Sequence, residues 1–246
     1  MPVMATPALS ARQRLTYAAH LYKAVARQHH RELTPLIAPH VGEGAVVVDA
    51  GAHAGQFTKL FAGLAQGGRV YAFEPGGYAR SILERVVRWR GLGNVTVVPL
   101  GLSDAEGGAE LALPLKSGSS LGFGLGHLGA EATTHPSVRA MGRLMAPDRL
   151  AAEAGLTRLD FIKADVEGWE VRLLRGAMGS VARHRPALLL ELVAAHLTRA
   201  GTDAEEAWER LVPLGYTALR LGPEPQAVDA FVGDGDYLFR AGGQHR

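Results

Sequence analysis

Short apolar runs alternate with amphipathic stretches along most of this chain. The apolar runs predict β-strands at residues 45–49, 69–73, 95–99, 109–113, 159–164, 187–191, 216–221 and 236–240. Apolar residues at helical spacing predict the intervening helices at residues 56–65, 78–90 and 169–178. One more helix is predicted after Thr202, because Thr202 and Glu205 have the spacing of a capping box. Such regular alternation is typical of an α/β domain built on a mainly parallel sheet.

The N-terminal part of the chain precedes this alternation. We predict a helix over residues 8–31 from an apolar face that consists of Leu15, Ala18, Ala19, Tyr22 and Val25. Thr34 and Pro35 predict the start of a short second helix. We therefore divide the chain into an N-terminal helical extension, residues 1–43, and an α/β domain, residues 44–246.

The last two predicted strands are joined by residues 222–235, which contain prolines and glycines and lack a helical period. A parallel return would need a crossover helix, so we expect the final strand to be antiparallel to its neighbour. The predicted fold is an α/β three-layer sandwich. Its sheet is mostly parallel and seven-stranded, with an antiparallel last strand, and helices are added at the N-terminus.

Residues 117–135 form a predicted loop that is longer than a simple connection requires. The segment is rich in glycine and serine, yet it also contains Leu121, Phe123, Leu125 and Leu128. Loops of this length often serve as lids or binding loops. We expect this one to close over a substrate, with a disordered insertion as the alternative.

Composition places the chain among ordinary globular proteins. Hydrophobic residues make up 47% of its 246 residues, charged residues make up 20%, and the formal net charge is +2. So small a surplus gives no reason to expect a nucleic-acid partner. Cysteine is absent, which excludes disulfides and thiolate metal sites. We expect neither a signal peptide nor a membrane span, and hence a cytoplasmic protein.

Two of the predicted strands end on a carboxylate. Asp49 closes the first strand and is followed by a turn with Gly51 and Gly55, and Glu74 closes the second strand ahead of Pro75. The carboxyl ends of parallel strands form the edge at which nucleoside cofactors bind. Glycines let the backbone approach a ligand, and the second acid can accept hydrogen bonds from both ribose hydroxyls. The alternative is an ordinary strand-to-helix turn that binds no ligand.

The glycine spacing indicates which kind of cofactor to expect. A dinucleotide requires the pattern G-x-G-x-x-G, whereas His53 occupies the place of the second glycine here. Asp49 would also bring negative charge near a pyrophosphate. S-adenosylmethionine has an ammonium group, a sulfonium and a ribose but no phosphate, and it therefore suits these residues better.

Several runs of the sequence resemble the FkbM family of S-adenosylmethionine-dependent methyltransferases. These runs are residues 47–55 (VVDAGAHAG), 73–75 (FEP), 99–104 (PLGLSD), 159–168 (LDFIKADVEG) and 173–177 (LLRGA). The resemblance covers about residues 44–240. Two features depart from the family pattern: His53, where asparagine is usual, and the pair Gly76-Gly77 after the second acid.

The resemblance implies a class I methyltransferase fold, which is Rossmann-like, and methyl transfer to a hydroxyl of a small molecule or saccharide. The glycine turn would then hold the amino acid part of S-adenosylmethionine, Glu74 its ribose, and the loop after the third strand its adenine. The expected cofactor-binding residues are Asp49, Gly51, His53, Gly55, Phe57, Thr58, Glu74, Pro75, Leu102, Ser103, Asp104 and Asp165.

The candidates for catalysis follow two later strands. Asp165 comes after the strand at 159–164, Glu191 ends the next strand, and His196 lies in the loop beyond it. Glu191 or His196 could take a proton from an acceptor hydroxyl, whereas Asp165 could orient that hydroxyl or the cofactor ammonium. We assign Glu167 to the start of the next helix. Asp165, Glu167 and Glu191 could converge on a divalent ion, but we expect no metal site, because carboxylates at strand ends are ordinary in this fold.

Two other functions stay open at this stage. His53 motivates the hypothesis of a regulator that binds the cofactor without turnover. A nicotinamide oxidoreductase is the third hypothesis, and the glycine spacing disfavours it. Thermal stabilisation by S-adenosylhomocysteine, compared with NAD, separates the oxidoreductase from the other two hypotheses, and turnover separates the enzyme from the regulator.

Overall fold

The structure is a computed structural model that describes residues 11–116, 120–121, 127–128 and 137–242. Its strands in chain order are β1 (Val46–Ala50), β2 (Arg69–Phe73), β3 (Val95–Val98), β4 (Gly101–Leu102), β5 (Gly107–Lys116), β6 (Ser120–Leu121), β7 (His127–Leu128), β8 (Ser137–Met145), β9 (Phe161–Ala164), β10 (Ala187–Leu192), β11 (Tyr216–Arg220), β12 (Gln226–Val228) and β13 (Gly235–Ala241). Within the described residues, eight of them form one sheet in the order β12-β11-β13-β10-β9-β1-β2-β3.

This sheet confirms the predicted α/β fold. β3, β2, β1, β9 and β10 are parallel neighbours, whereas β13 is antiparallel to both β10 and β11. The predicted seven strands omitted β12, which lies in the linker at residues 222–235. β12 pairs with β11 through three residues at the edge of the sheet, and so short a strand shows no clear alternation in sequence.

Helices cover both faces of the sheet. They are α1 (Ala11–Ala26), α2 (Thr34–Ile37), α3 (Gln56–Leu64), α4 (Gly77–Trp89), α5 (Pro147–Glu153), α6 (Glu170–Gly176), α7 (Met178–His184), α8 (Ala194–Arg199) and α9 (Glu205–Leu211), with 3₁₀ turns at Arg31–Leu33 and Val212–Leu214. Leu173, Val181 and Trp208 belong to the core on one face, while Ile37 and Phe61 belong to the core on the other. Burying each such side chain contributes about 1.5–3 kcal/mol.

The apolar face predicted for the N-terminal helix was wrong except at Val25, which is partly buried. Leu15 is 74% exposed and Tyr22 is 72% exposed. The buried side of α1 is formed by Leu21 and Ala24, which pack with Ile82 of α4. The described part of α1 packs mainly on α4 and buries only a narrow stripe of side chains. The wider apolar pattern in the sequence does not reveal which stripe that is.

A second sheet interrupts the main alternation between β3 and β9. β5 and β8 form a long antiparallel ladder from the pair Gly107↔Leu144 to the pair Pro114↔Ser137, and β4 joins β8 in parallel. The predicted strand at 109–113 is thus part of a longer strand, and β8 was not predicted. The lid predicted at residues 117–135 lies largely outside the described residues. Only its segments β6 and β7 are described, and both pair with β5.

The capping box predicted at Thr202 and Glu205 was also wrong. The backbone N–H of Glu206 donates to Asp203 Oδ1 at 3.0 Å, so Asp203 supplies the side-chain acceptor at this helix start. The Thr202 hydroxyl instead donates to the carbonyl of Leu197 at 3.2 Å. Asp203, directly after the threonine, can accept from the same unpaired N–H groups at the helix start, and in this structure it is the acceptor.

Candidate active site

Glu74 lies at the carboxyl edge of the sheet, directly after β2. Its side chain is 8% exposed, and its carboxylate accepts hydrogen bonds from the N–H groups of His53 at 2.9 Å and Gly76 at 2.7 Å. Burial raises the pKa of Glu74 to about 7, although the two donors oppose that rise. Each carboxylate oxygen keeps a second acceptor position, so the group has capacity for two hydroxyls.

Gly76 leaves room for this carboxylate. A Cβ at residue 76 would lie 2.8 Å from Glu74 Oε1. A side chain there would push the acid away from its backbone donors. The glycine pair that departs from the family pattern therefore has a local structural reason. The neighbouring Pro75 is held through its carbonyl, which accepts a hydrogen bond from Arg80 at 2.8 Å.

The glycine turn after β1 packs against the chain that leaves β9. Gly51 has a φ of +70°, and a Cβ there would lie 1.8 Å from the backbone oxygen of Asp165. Gly55 has a φ of +84°, and its Cβ would lie 2.8 Å from a methyl group of Leu83. These two glycines thus let the turn pack closely against Asp165 and Leu83 of the protein itself.

A buried lysine joins the two halves of this edge. Lys163 is 3% exposed, and its ammonium lies 3.6 Å from Asp49 Oδ1 and 3.4 Å from Asp165 Oδ2. It also donates to the carbonyls of Ala50 and Gly51 at 3.1 and 3.0 Å. Burial disfavours the charged ammonium, but Asp165 and Asp49 outweigh it and raise the pKa of Lys163.

Asp49, Thr58 and Phe57 surround that lysine from the side of α3. Asp49 and Thr58 are both fully buried, and the threonine hydroxyl donates to Asp49 Oδ2 at 2.6 Å. The ring of Phe57 lies 5.3 Å from the Lys163 ammonium and stacks on His30 with ring centroids 4.3 Å apart. These contacts hold Lys163 and the first turn of α3 together, and a direct role for Phe57 and Thr58 in cofactor binding stays a prediction.

Three carboxylates, which we name the acid row, follow one another across neighbouring strands: Asp165 after β9, Glu191 in β10 and Asp236 in β13. Glu191 is the direct cross-strand partner of Asp236. Side chains alternate along strands, and Leu189 and Leu238, two residues from these acids, belong to the core beneath α2 and α3. Glu191 and Asp236 therefore lie on the face that also carries Lys163.

Lys163 is the cation nearest to Asp165 in the acid row, and the pKa values of the acids reflect this. Burial and the charge of Asp165 raise the pKa of Glu191 to about 8. Burial would also raise the pKa of Asp165, but the attraction of Lys163 outweighs it, so that pKa is lowered. The pKa values of the two neighbouring carboxyl groups are thus moved in opposite directions. At neutral pH, Glu191 keeps its proton beside an ionised Asp165. The prediction that these two acids meet at neighbouring strand ends is confirmed.

Glu167 and His196 occupy positions that differ from the predicted ones. Glu170, not Glu167, accepts hydrogen bonds at the start of α6, from the N–H groups of Val166 at 2.7 Å and Gly168 at 3.0 Å. Glu167 has a left-handed φ of +55°, and its Oε2 lies 3.2 Å from Nδ1 of His196. His196 belongs to α8 and not to a loop. Burial, followed by the charge of Arg199, lowers the pKa of His196.

The segment after β3, residues 102–104, packs against α6 and forms ion pairs with it. Leu102 and Ser103 are buried, and a Cβ on Gly176 would lie 2.3 Å from the carbonyl oxygen of Ser103. Asp104 lies 3.7 Å from Arg172 and 3.5 Å from Arg175. The run LLRGA thus positions this loop through an arginine and a glycine. Contacts from Leu102, Ser103 and Asp104 to an adenine stay a prediction.

Three important residues were absent from the predicted site: Lys163, Glu170 and Asp236. Their signals were present in the sequence. Lys163 is an ionisable residue inside an otherwise apolar strand, and Glu170 stands two residues after Gly168 at a helix start. Asp236 begins an antiparallel last strand, whose amino end lies at the same edge as the carboxyl ends of parallel strands.

Two groups at this edge have the chemistry that a nucleoside cofactor without phosphates would require. Glu74 offers free acceptor positions for a ribose, and the side chain of Asp165 is 41% exposed and charged, as an ammonium partner would need to be. Across the described ranges, histidines and acids form no group of three that could hold a metal ion. No described helix has the length and apolar character of a membrane span.

The fold and these strand-end acids define a protein of the class I methyltransferase architecture. The family model of the FkbM methyltransferase domain matches residues 49–218, and the chain belongs to this family. A comparison with curated protein sequences gave no match.

Solved structures share the fold at low sequence identity. Methyltransferase FkbM from Methylobacillus flagellatus superposes with a TM-score of 0.50 and 17% identity, over 92% of this chain and 59% of that chain. An rRNA methylase from Streptococcus thermophilus gives a TM-score of 0.49 and 13% identity, over 87% and 95% of the two chains. An O-methyltransferase from Bacillus cereus in complex with S-adenosylhomocysteine gives 0.47 and 16%, over 96% and 92%.

Proposed function

We propose that this protein is an S-adenosylmethionine-dependent methyltransferase that methylates a hydroxyl group of a small molecule or saccharide. The observation that carries the proposal is the buried carboxylate of Glu74, oriented by two backbone donors and with acceptor capacity left for two ribose hydroxyls. Membership of the FkbM family supports methyl transfer. The choice of oxygen as the methylated atom rests on the family resemblance and not on this geometry.

Different residues would hold different parts of the cofactor. Glu74 binds the ribose, the turn from Gly51 to Gly55 borders the amino acid part, and Asp165 pairs with its ammonium. The loop with Leu102, Ser103 and Asp104 borders the adenine. His53 contributes its backbone N–H to Glu74, so the replacement of the usual asparagine keeps this contact intact. That observation weakens the case for an inactive regulator.

S-adenosylmethionine, when bound, supplies a methyl group on a positively charged sulfur, so the protein has little chemistry left to perform beyond positioning. The acid row would then receive the proton that the acceptor hydroxyl loses. Asp165 is the ionised member at neutral pH and so accepts the hydroxyl proton, while Glu191 keeps its own proton. His196 Nδ1 lies 3.2 Å from Glu167 Oε2, and the use of His196 as a base stays a prediction.

The cofactor is tested by thermal unfolding with added ligand. We expect S-adenosylhomocysteine to raise the melting temperature and NAD to leave it unchanged. Glu74→Gln should remove most of the rise, because hydrogen bonds to a charged group are worth about 1.5–3 kcal/mol each. The binding constant for S-adenosylhomocysteine, measured by calorimetry, should weaken by about 10- to 100-fold.

Glu170→Gln is the matched control for that variant. Glu170 is also buried, also accepts two backbone N–H groups, and its pKa is also raised to about 7 by burial. Glu170→Gln should therefore lower the stability of the protein by a similar amount. It should keep the rise in melting temperature that S-adenosylhomocysteine causes. Stabilisation of the wild-type protein by NAD alone would contradict the proposed function.

A further inference from the structure

A pocket of about 510 Å³ opens next to the acid row. One side is formed by the turn and helix that follow α1, with Leu33 and Leu36. The other side is formed by the chain between β11 and β12, with Leu221, Gly222 and Pro223. We name it the hairpin pocket. Its volume falls within the range of ordinary small-molecule sites.

The hairpin pocket connects with the candidate active site by two routes. Asp236 lines the pocket and is the cross-strand partner of Glu191. His30 also lines it and stacks on Phe57, whose ring lies 5.3 Å from the Lys163 ammonium. A molecule in the pocket would thus border Asp236, one member of the acid row, and lie one side chain away from Glu191.

The chemistry of the pocket walls selects a type of ligand. Leucine and proline side chains supply apolar contact surface, while Glu32 and Asp236 supply hydrogen-bond acceptors. Among the described residues that line the pocket, none is a lysine or an arginine. Burial lowers the pKa of His30, so this side chain is neutral at pH 7. An anion would therefore meet two acids without a counter-charge, whereas hydroxyl donors would find acceptors.

We propose that the hairpin pocket binds the methyl acceptor and that this acceptor is an uncharged, hydroxyl-bearing small molecule without phosphate or carboxylate groups. The proposal rests on the proposed methyltransferase function and adds the place and the charge class of the acceptor. It also gives the N-terminal extension a role, because residues 30–36 form one wall of the acceptor site.

The first test uses a tryptophan in the pocket. Gly222 has a φ outside the left-handed region, and the nearest atom to a Cβ there is 4.0 Å away, so Gly222→Trp fits the backbone. Gly93, at the opposite edge of the sheet ahead of β3, also has open space and ordinary φ, which makes Gly93→Trp the matched control. Labelled S-adenosylmethionine is supplied with methyl glycosides, simple phenols and polyols, each paired with its phosphorylated or carboxylated counterpart.

We expect the wild-type protein to methylate uncharged members of the panel and not their anionic counterparts. Gly222→Trp should lower kcat/KM for the acceptor by about tenfold or more, and Gly93→Trp should not. Both variants should keep the thermal shift with S-adenosylhomocysteine, which reports the proposed function separately. Full transfer by Gly222→Trp would overturn the location. Transfer only to anionic members, or to no member while the thermal shift persists, would overturn the acceptor class.

A charge change gives a second test that does not depend on filling the pocket. Glu32 has a side chain 72% exposed, so Glu32→Lys should fold. The new cation should raise kcat/KM for phosphorylated members relative to uncharged ones by about tenfold. Glu43→Lys, an exposed glutamate outside the pocket, should leave that ratio unchanged. An equal effect of both variants would overturn the proposal, since it would reflect net charge and not the pocket.

Discussion

Two stretches of the same sheet edge are built in opposite ways. At the end of β2, the buried acid Glu74 is held by two backbone N–H groups, both within 2.9 Å. Across β9, β10 and β13, the acid row has its charge balanced by Lys163 and by a proton on Glu191. The first stretch depends on backbone geometry, and the second depends on protonation.

This difference suits two different tasks. A cofactor that is the same in every turnover benefits from an acceptor oriented in advance by the backbone. An acid that must gain and release a proton benefits from a neighbour whose pKa lies near the working pH. Lys163 is shared between the stretches, because it contacts the carbonyls of the glycine turn as well as Asp165.

Removal of that shared cation is expected to have the largest effect. Lys163→Met would leave the buried Asp49 and the carboxylate of Asp165 without their counter-charge, which typically costs about 3–5 kcal/mol. Unfolding in urea gives the free energy directly. If the variant unfolds at the same urea concentration as the wild-type protein, then the charge of Lys163 does not stabilise this edge of the sheet.

Lys59→Met is the control for the loss of a buried lysine. Lys59 is 7% exposed, and its ammonium donates to the carbonyls of Ala24 and Arg27. Burial lowers the pKa of Lys59 to about 8. Within the described part of the chain, carbonyl groups and not carboxylates hold the Lys59 ammonium, so its loss should cost about 1–3 kcal/mol, less than the loss of Lys163.

The next largest effect is expected at the turn between the stretches. Gly51→Ala combines left-handed strain with a Cβ placed 1.8 Å from the Asp165 carbonyl oxygen, and it should cost about 3 kcal/mol or more. Gly67→Ala carries the strain alone, since Gly67 has a φ of +72° and nothing within 4 Å of its Cβ, and it should cost about 1–2 kcal/mol. Equal costs in urea unfolding would show that the turn can move away from β9.

The sequence predicted the elements of the main sheet and the acids at its edge, because strand alternation and strand ends are local patterns. The sequence could not show that the backbone of Asp165 leaves no space for a side chain at Gly51, since these residues meet only after β1 pairs with β9. For the same reason it missed Asp236, which joins the site through antiparallel pairing with Glu191. The wrong face of α1 has a related cause: its partner is α4, and nothing in the periodicity of α1 identifies that partner.

Over any single pH unit, the smallest expected effect is a change in how stability depends on pH. The pKa of Glu191 is raised to about 8 in the folded protein, against about 4.3 when unfolded. Between these values the folded state binds more protons, so the free energy of unfolding falls as pH rises. Glu191→Gln removes this contribution, which is at most about 1.4 kcal/mol per pH unit. Relative to wild type, the variant should therefore gain stability between about pH 4.5 and 8 and show no further gain above that range.

Glu206→Gln is the control that tests whether the pH dependence of the free energy of unfolding arises from the acid row. Arg175 and Arg210 bind Glu206, and the hydrogen bond from Arg175 is the main reason that its pKa is lowered to about 2. Its stabilising effect is complete above about pH 4.5 and is lost as pH falls toward 2, which is the opposite direction. Urea unfolding at pH 3, 5, 6, 7 and 8 separates the two variants. A constant difference between Glu191→Gln and wild type from pH 5 to 8 would mean that Glu191 is ionised throughout, and the acid row would then have no proton to share.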